Sequence, residues 1–230
     1  MSVSLLDPQI GLPMLYRWGH LLFGVTWIGL LYYFNLVQGE YFKEADGGAK
    51  SDAIQKLVPK ALWWFRWGAV FTLITGLLLL HSMSIRLNSY TVLAVLLGTV
   101  MFLNVWLIIW PNQKIVIENA TRVAKGESAL EQAPKALGKA GLASRHNTLF
   151  SVPMLFFMAA SGHLGGPGAM PLMGEAGGGS TAALGLAVLI IAALEGNAIA
   201  GKTGPITTIK GVIHCGLALA LVLYAVVEFL

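Results

Sequence analysis

Apolar runs of about 20 residues recur along the chain, each closed by a polar or glycine-rich stretch. At helical rise such a run spans the hydrocarbon thickness of a bilayer. Six transmembrane helices are predicted, over 12–38, 61–83, 90–110, 145–163, 181–200 and 206–230. A short tail precedes the first, and a mixed-charge loop, 39–60, follows it. The second opens on Trp63, Trp64, Phe65, Arg66 and Trp67, which reads as an interfacial aromatic belt with Arg66 snorkelling to the headgroups. Pro111 is expected to stop the third run, with Asn112, Gln113 and Lys114 beyond it. The stretch up to 144 alternates charged and small residues and predicts an amphipathic surface helix. The Gly- and Pro-rich stretch 162–180 predicts a mobile exterior loop. It does not read as a phosphate loop, because no strand precedes it and no Gly-Lys-Ser/Thr follows. No repeat with a period of about 20–50 residues is visible.

Composition sharpens this pattern into an all-α, polytopic transmembrane bundle forming one membrane domain over 1–230. Only 11% of residues are charged and mean hydropathy is +0.71, against roughly a quarter charged in soluble domains. The first run is too long for a signal peptide and lacks a basic segment before it, so it is expected to be retained. Of the 15 Lys and Arg, thirteen fall on or near the side of the loops after the first, third and fifth runs. Only Arg17 and Arg86 lie on the other side. The positive-inside rule then places both termini outward, which in a bacterium is the periplasmic side of the inner membrane. The net charge of +4 is explained by this topology. With no basic patch interleaved with aromatics, nucleic acid is not an expected partner; membrane lipid is. The single Cys215 excludes a disulfide framework and a CxxCH haem attachment.

An ionisable imidazole inside the first run, His20, is the first chemical candidate. Gly24, at i+4, leaves room beside it for a flat group. The structural alternative is a histidine hydrogen-bonded to a neighbouring helix. Helical rise puts His20 roughly 7 Å, His163 about 12 Å and His81 about 15 Å outward of the bilayer centre. His214 falls about 4 Å and His146 about 13 Å inward by the same rise. Facing imidazoles from different helices hold b-type haem. His20 with His163 is the best match in depth, His20 with His81 the second, and His214 with His146 an inner pair of poorer agreement. Zinc lacks an HExxH or comparable spacing. Glu195, an acid near the inner end of the fifth run, is expected to pair with a lysine rather than to relay protons. Cys215 reads as a small buried residue, and no Ser–His–Asp arrangement is visible.

Four stretches combine into a family resemblance. They are Arg17-Trp18-Gly19-His20 with Trp27 and Gly29; Trp64-Phe65-Arg66-Trp67 with Thr75 and Gly76; Asn104 with Pro111-Asn112-Gln113-Lys114; and Arg145-His146-Asn147 with Pro153 and His163. Together they resemble the N-terminal membrane domain of bacterial membrane-bound urate oxidases, the urate hydroxylase type, well over the first four runs and loosely over the last two. The resemblance implies an oxidoreductase that oxidises urate and passes electrons to a cytochrome c domain on the periplasmic side. Because this chain ends at Leu230, that domain is expected to be absent and a separate periplasmic cytochrome c to take the electrons. Trp63 and Val92 stand where the family pattern has histidines, and the stretch between the second and third runs is shorter than in the family. A weaker resemblance links the first, second and fourth runs to membrane protoporphyrinogen oxidases and copper-resistance membrane proteins.

The expected function is a haem-b redox protein of the urate-oxidase type. His20 and His163 are the axial ligands, with Phe23 and Trp27 packing on the macrocycle and His81 or His214 as alternatives. Asn104, Asn112, Gln113, His146 and Asn147 line an inner polar site whose amides suit a flat purine. The competing expectation is a non-catalytic accessory subunit of a larger respiratory or photosynthetic complex, docked through small residues such as Gly216 and Ala220. Transport is disfavoured because the runs lack paired broken helices.

Overall fold

The computed structural model describes residues 5, 7–82, 87–172 and 180–230. Seven helices account for nearly all of them: α1 (Gly11–Glu44), α2 (Gly47–Lys56), α3 (Val58–Ser82), α4 (Ser89–Ala124), α5 (Ala133–His163), α6 (Thr181–Ala200) and α7 (Ile209–Phe229). By length and composition α1, α3, α4, α6 and α7 are able to cross a membrane, close to the six crossings expected. Leu21, Val25, Leu189 and Leu221 are among many large apolar side chains left exposed on these helices, the surface lipid would cover. Arg86, counted above on the outer side, and Met83, the expected end of the second run, lie outside the described residues.

The helices gather into two compact units, 1–85 with 120–128, and 86–119 with 129–230. In the first, α1 and α3 pack along their length. Gly19 meets Thr75, Phe23 meets Phe71, Trp27 meets Gly68 and Phe34 meets Phe65, a reversed order that defines an antiparallel pair. Gly68 permits the closest approach: a Cβ there would lie 3.2 Å from the Trp27 backbone nitrogen. Asp46 caps α2 by accepting the Ala49 N–H at 2.8 Å. Trp63, Trp64 and Trp67 are exposed, as a belt requires, but Arg66 is buried at 8% exposure. It therefore does not snorkel: its side chain is covered by protein while the neighbouring tryptophans stay exposed.

In the second unit α5 is the inner helix, packed by α4, α6 and α7. This explains why it is not among the five most apolar helices. Its buried face carries His146, Asn147, Thr148 and Ser151, and a helix sheltered by protein needs no lipid-compatible surface. At 31 residues it is about 46 Å long, ample for a crossing. Gly216 of α7 fits against Val152 and the Leu149 carbonyl of α5, so that small residue serves packing within the unit.

Pro111 does not end α4. A π-turn over Asn104–Ile109 precedes it, with Trp110 N–H reaching back to Val105 O. The wider turn resets the ladder ahead of a residue with no N–H to give. The helix therefore continues to Ala124, and no separate surface helix forms before α5 begins. A second π-turn, Tyr33–Gln38, interrupts α1.

The stretch after α5 is pinned over its described part. Leu172 N–H bonds to Leu87 O at 3.0 Å, and Gly168 N–H to Glu228 Oε1 at 2.9 Å. Glu228 also receives the Tyr90 hydroxyl, and Tyr90 stacks on Phe157 and Tyr224. Residues 164–172 thus do not behave as the mobile loop expected; 173–179 lie outside the described residues.

Candidate functional site

His20 sits on α1 facing α3. Its Nδ1 is 3.0 Å from Thr72 O and 3.3 Å from Thr75 Oγ1. A carbonyl only accepts, so Nδ1 carries the ring proton and donates it. The Thr75 hydroxyl gives its own proton to Phe71 O at 2.6 Å, which turns a lone pair toward His20. Nε2 is thereby left as the basic nitrogen. This is the arrangement typical of a metal-ligating histidine, whose other nitrogen is anchored to a backbone carbonyl. Gly76 lies against the ring, with a notional Cβ 3.1 Å from His20 Cε1, while a Cβ at Gly24 would meet nothing within 4 Å. The helix-to-helix hydrogen bond expected of an ordinary buried histidine is present, and it leaves one ring nitrogen unused.

The aromatic residues assigned to the same group pack on α3. Phe23 lies 4.9 Å from Phe71 between ring centroids. Trp27 is buried, and its Nε1 has no hydrogen-bond partner. His81 and His163 are exposed in the last turns of α3 and α5. His214 is exposed on α7 and bonds to Lys210 O of its own helix at 2.7 Å. His163 and His214 belong to the second unit, His20 and His81 to the first.

A polar cluster forms within the second unit from α4, α5 and α6. Asn104, at the head of the π-turn, donates Nδ2 to Asn147 Oδ1 at 2.9 Å and to Glu195 Oε2 at 3.0 Å. Asn147 donates to Met101 O at 2.9 Å. His146 is held by Leu142 O on Nδ1 and by Asn197 Nδ2 on Nε2, each at 2.9 Å. With both nitrogens bonded, His146 has none left for iron in the inner pair with His214. Asn197 also clasps Lys202 through N–H and C=O. Asn112 bonds back to Ile108 O at 2.7 Å, and Gln113 is half-buried on the same helix; neither is drawn into the cluster. Glu195 pairs with the Asn104 amide, not with the lysine expected of it.

Thr72 and Asn197 were not among the candidates read from the sequence; Glu195 was read there as the partner of a lysine, and Thr75 only as part of the family resemblance. The two threonines were visible as the polar positions, three apart, in an otherwise apolar run. Their alignment with His20 depends on the register of α1 on α3. Among the described residues no three His, Cys, Asp or Glu side chains converge on a common point.

These features define a polytopic helical membrane protein with a buried amide–carboxylate cluster and an anchored intramembrane histidine. Residues 86–167, 82 of the 230, match the model of the family described as urate oxidase N-terminal, a likeness that covers this part of the chain. The match takes in Asn104, Pro111, Arg145, His146, Asn147, Pro153 and His163, but not the resemblance residues of α1 and α3. No curated protein and no solved structure matches the chain.

Proposed function

We propose that this chain is a urate-oxidase-type haem-b redox protein of the bacterial inner membrane that passes electrons to a periplasmic cytochrome c. The observation that carries the proposal is the fixed tautomer of His20, whose Nδ1 proton is committed to Thr72 O at 3.0 Å and whose Nε2 is free to bind iron. A bound b-type haem supplies a one-electron iron couple. The chain's own work is to present His20 at a set angle and to keep water from it through the apolar α1–α3 interface. The space beside Gly24 is suited to the edge of a flat macrocycle.

The amides of the inner cluster are less suited to a purine than their types suggested. Asn104 Nδ2 donates both its protons within the protein, and Asn112 and Asn147 one each, so a purine would have to displace the Asn104 bonds to use that amide. The experiment is pyridine haemochrome analysis of detergent-purified protein, followed by urate-dependent reduction of added cytochrome c. Haem b at about one per chain with urate-dependent reduction is expected. Protein purified under haem-replete expression without haem would end the proposal.

A further inference from the structure

Residues 164–172 cross the end of the second unit where α4 begins and α7 finishes, and two kinds of contact hold them there. Toward α4 the ties are neutral: Leu172 N–H bonds to Leu87 O at 3.0 Å, and Asn88 Nδ2 reaches Ala169 O at 3.4 Å. Toward α7 the tie is one carboxylate. Glu228 Oε1 accepts the Gly168 N–H at 2.9 Å and the Tyr90 hydroxyl. Its Oε2 lies so near Gly166 that a Cβ there would stand 2.5 Å away. Gly166 also has a φ of 90°, and a Cβ at Gly168 would meet Tyr90 Cε1 at 2.5 Å. The strap thus lies flush on the carboxylate and the phenol at two positions suited to glycine. Tyr90 is wholly buried there, stacked on Phe157 and Tyr224.

Both hydrogen bonds at Oε1 draw strength from the negative charge of their acceptor. A proton on Glu228 removes that charge and weakens the two together, while the amide ties at Leu87 and Asn88 are untouched. Few other groups around it titrate. α4 presents Tyr90, α7 itself carries Tyr224, and α5 ends in the exposed His163. Residues 164–172 and the first three turns of α6 carry no titratable side chain. The ion pairs among the described residues lie elsewhere. The charge state of Glu228 therefore sets how firmly this end of the strap is held.

We propose that Glu228 is the latch of an acid-opened strap. As a carboxylate it holds residues 166–168 down on Tyr90; once protonated it lets them lift about the ties at Leu87 and Asn88 and uncovers the Tyr90 ring. The closed form belongs to neutral pH and the open form to acid pH. This device makes no use of His20 and stands apart from the haem reading.

Hydrogen–deuterium exchange of the full chain in detergent, read by mass spectrometry across a pH series, tests it. Rates are divided by the intrinsic amide rates at each pH, so that protection alone is compared. Protection of the peptide carrying Gly168 should fall several-fold from neutral to acid pH, while that of α5 is kept. In Glu228→Gln, whose side chain is neutral at every pH, the same peptide should already be several-fold less protected at neutral pH and respond no further. Strap protection that stays constant across the series in the parent chain overturns the proposal. So does a loss shared equally by α5, which is unfolding of the unit, or a Glu228→Gln variant that keeps the parent's response to pH. The parent chain alone supplies the first two of these outcomes, so a variant that fails to fold does not obscure them.

Discussion

At the scale of single residues, the nitrogen that each histidine leaves free decides what it can bind. His20 and His146 are both held by backbone carbonyls, yet only His20 keeps an unengaged Nε2. Thr75→Val removes the second acceptor at Nδ1 and should weaken haem retention about 10-fold, the usual scale for loss of an outer-shell partner; titration of apo-protein with haemin measures it. Asn147→Leu breaks two hydrogen bonds, to Asn104 and to Met101 O. In water an orphaned buried group costs about 1–3 kcal/mol, but hydrogen bonds in membrane helices average only about 0.6 kcal/mol. The lower figure governs here, so a loss of roughly 1 kcal/mol is expected, read by thermal unfolding in detergent. His20 was legible in the sequence because an imidazole stands out in an apolar run. The tautomer was not, because it is fixed by Thr72 and Thr75, 52 and 55 residues away.

Among helices, close packing is concentrated at a few glycines. Gly68→Leu should force α1 and α3 apart, since even a Cβ would stand 3.2 Å from the Trp27 nitrogen. A cost of roughly 1–3 kcal/mol, typical of overpacking, is expected from the shift in unfolding midpoint. Gly24→Leu is the counterpart: with nothing within 4 Å of its Cβ, stability should hold while haem content falls. Equal loss of stability in both variants would contradict the assignment of the Gly24 space. Five of the six predicted runs reappear as helices apolar enough to cross, since hydropathy reports contact with lipid. The remaining run, 145–163, reappears within α5, whose polar face turns inward to the second unit. Two readings failed for local reasons. Pro111 was read as a stop because a π-turn at Asn104–Ile109 leaves no mark in composition. Arg66 was read as snorkelling because position near a helix end does not reveal which face is covered.

At the scale of the whole molecule, the expected orientation rests on the distribution of basic residues, and the likeness to the urate oxidase N-terminal family rests on residues 86–167. Alkaline phosphatase fused after Leu230 should be active and a green fluorescent protein fusion dark, as an outward-facing end of α7 requires; the reverse pattern would invert the membrane orientation and put the proposed cytochrome c on the wrong side. Binding of haem iron by His20 Nε2 is tested by the reduced-minus-oxidised difference spectrum of purified protein. A b-type α-band in the parent protein and in His214→Ala, lost in a His20→Ala variant that still unfolds cooperatively, is the predicted result. An α-band of undiminished intensity in His20→Ala would contradict it.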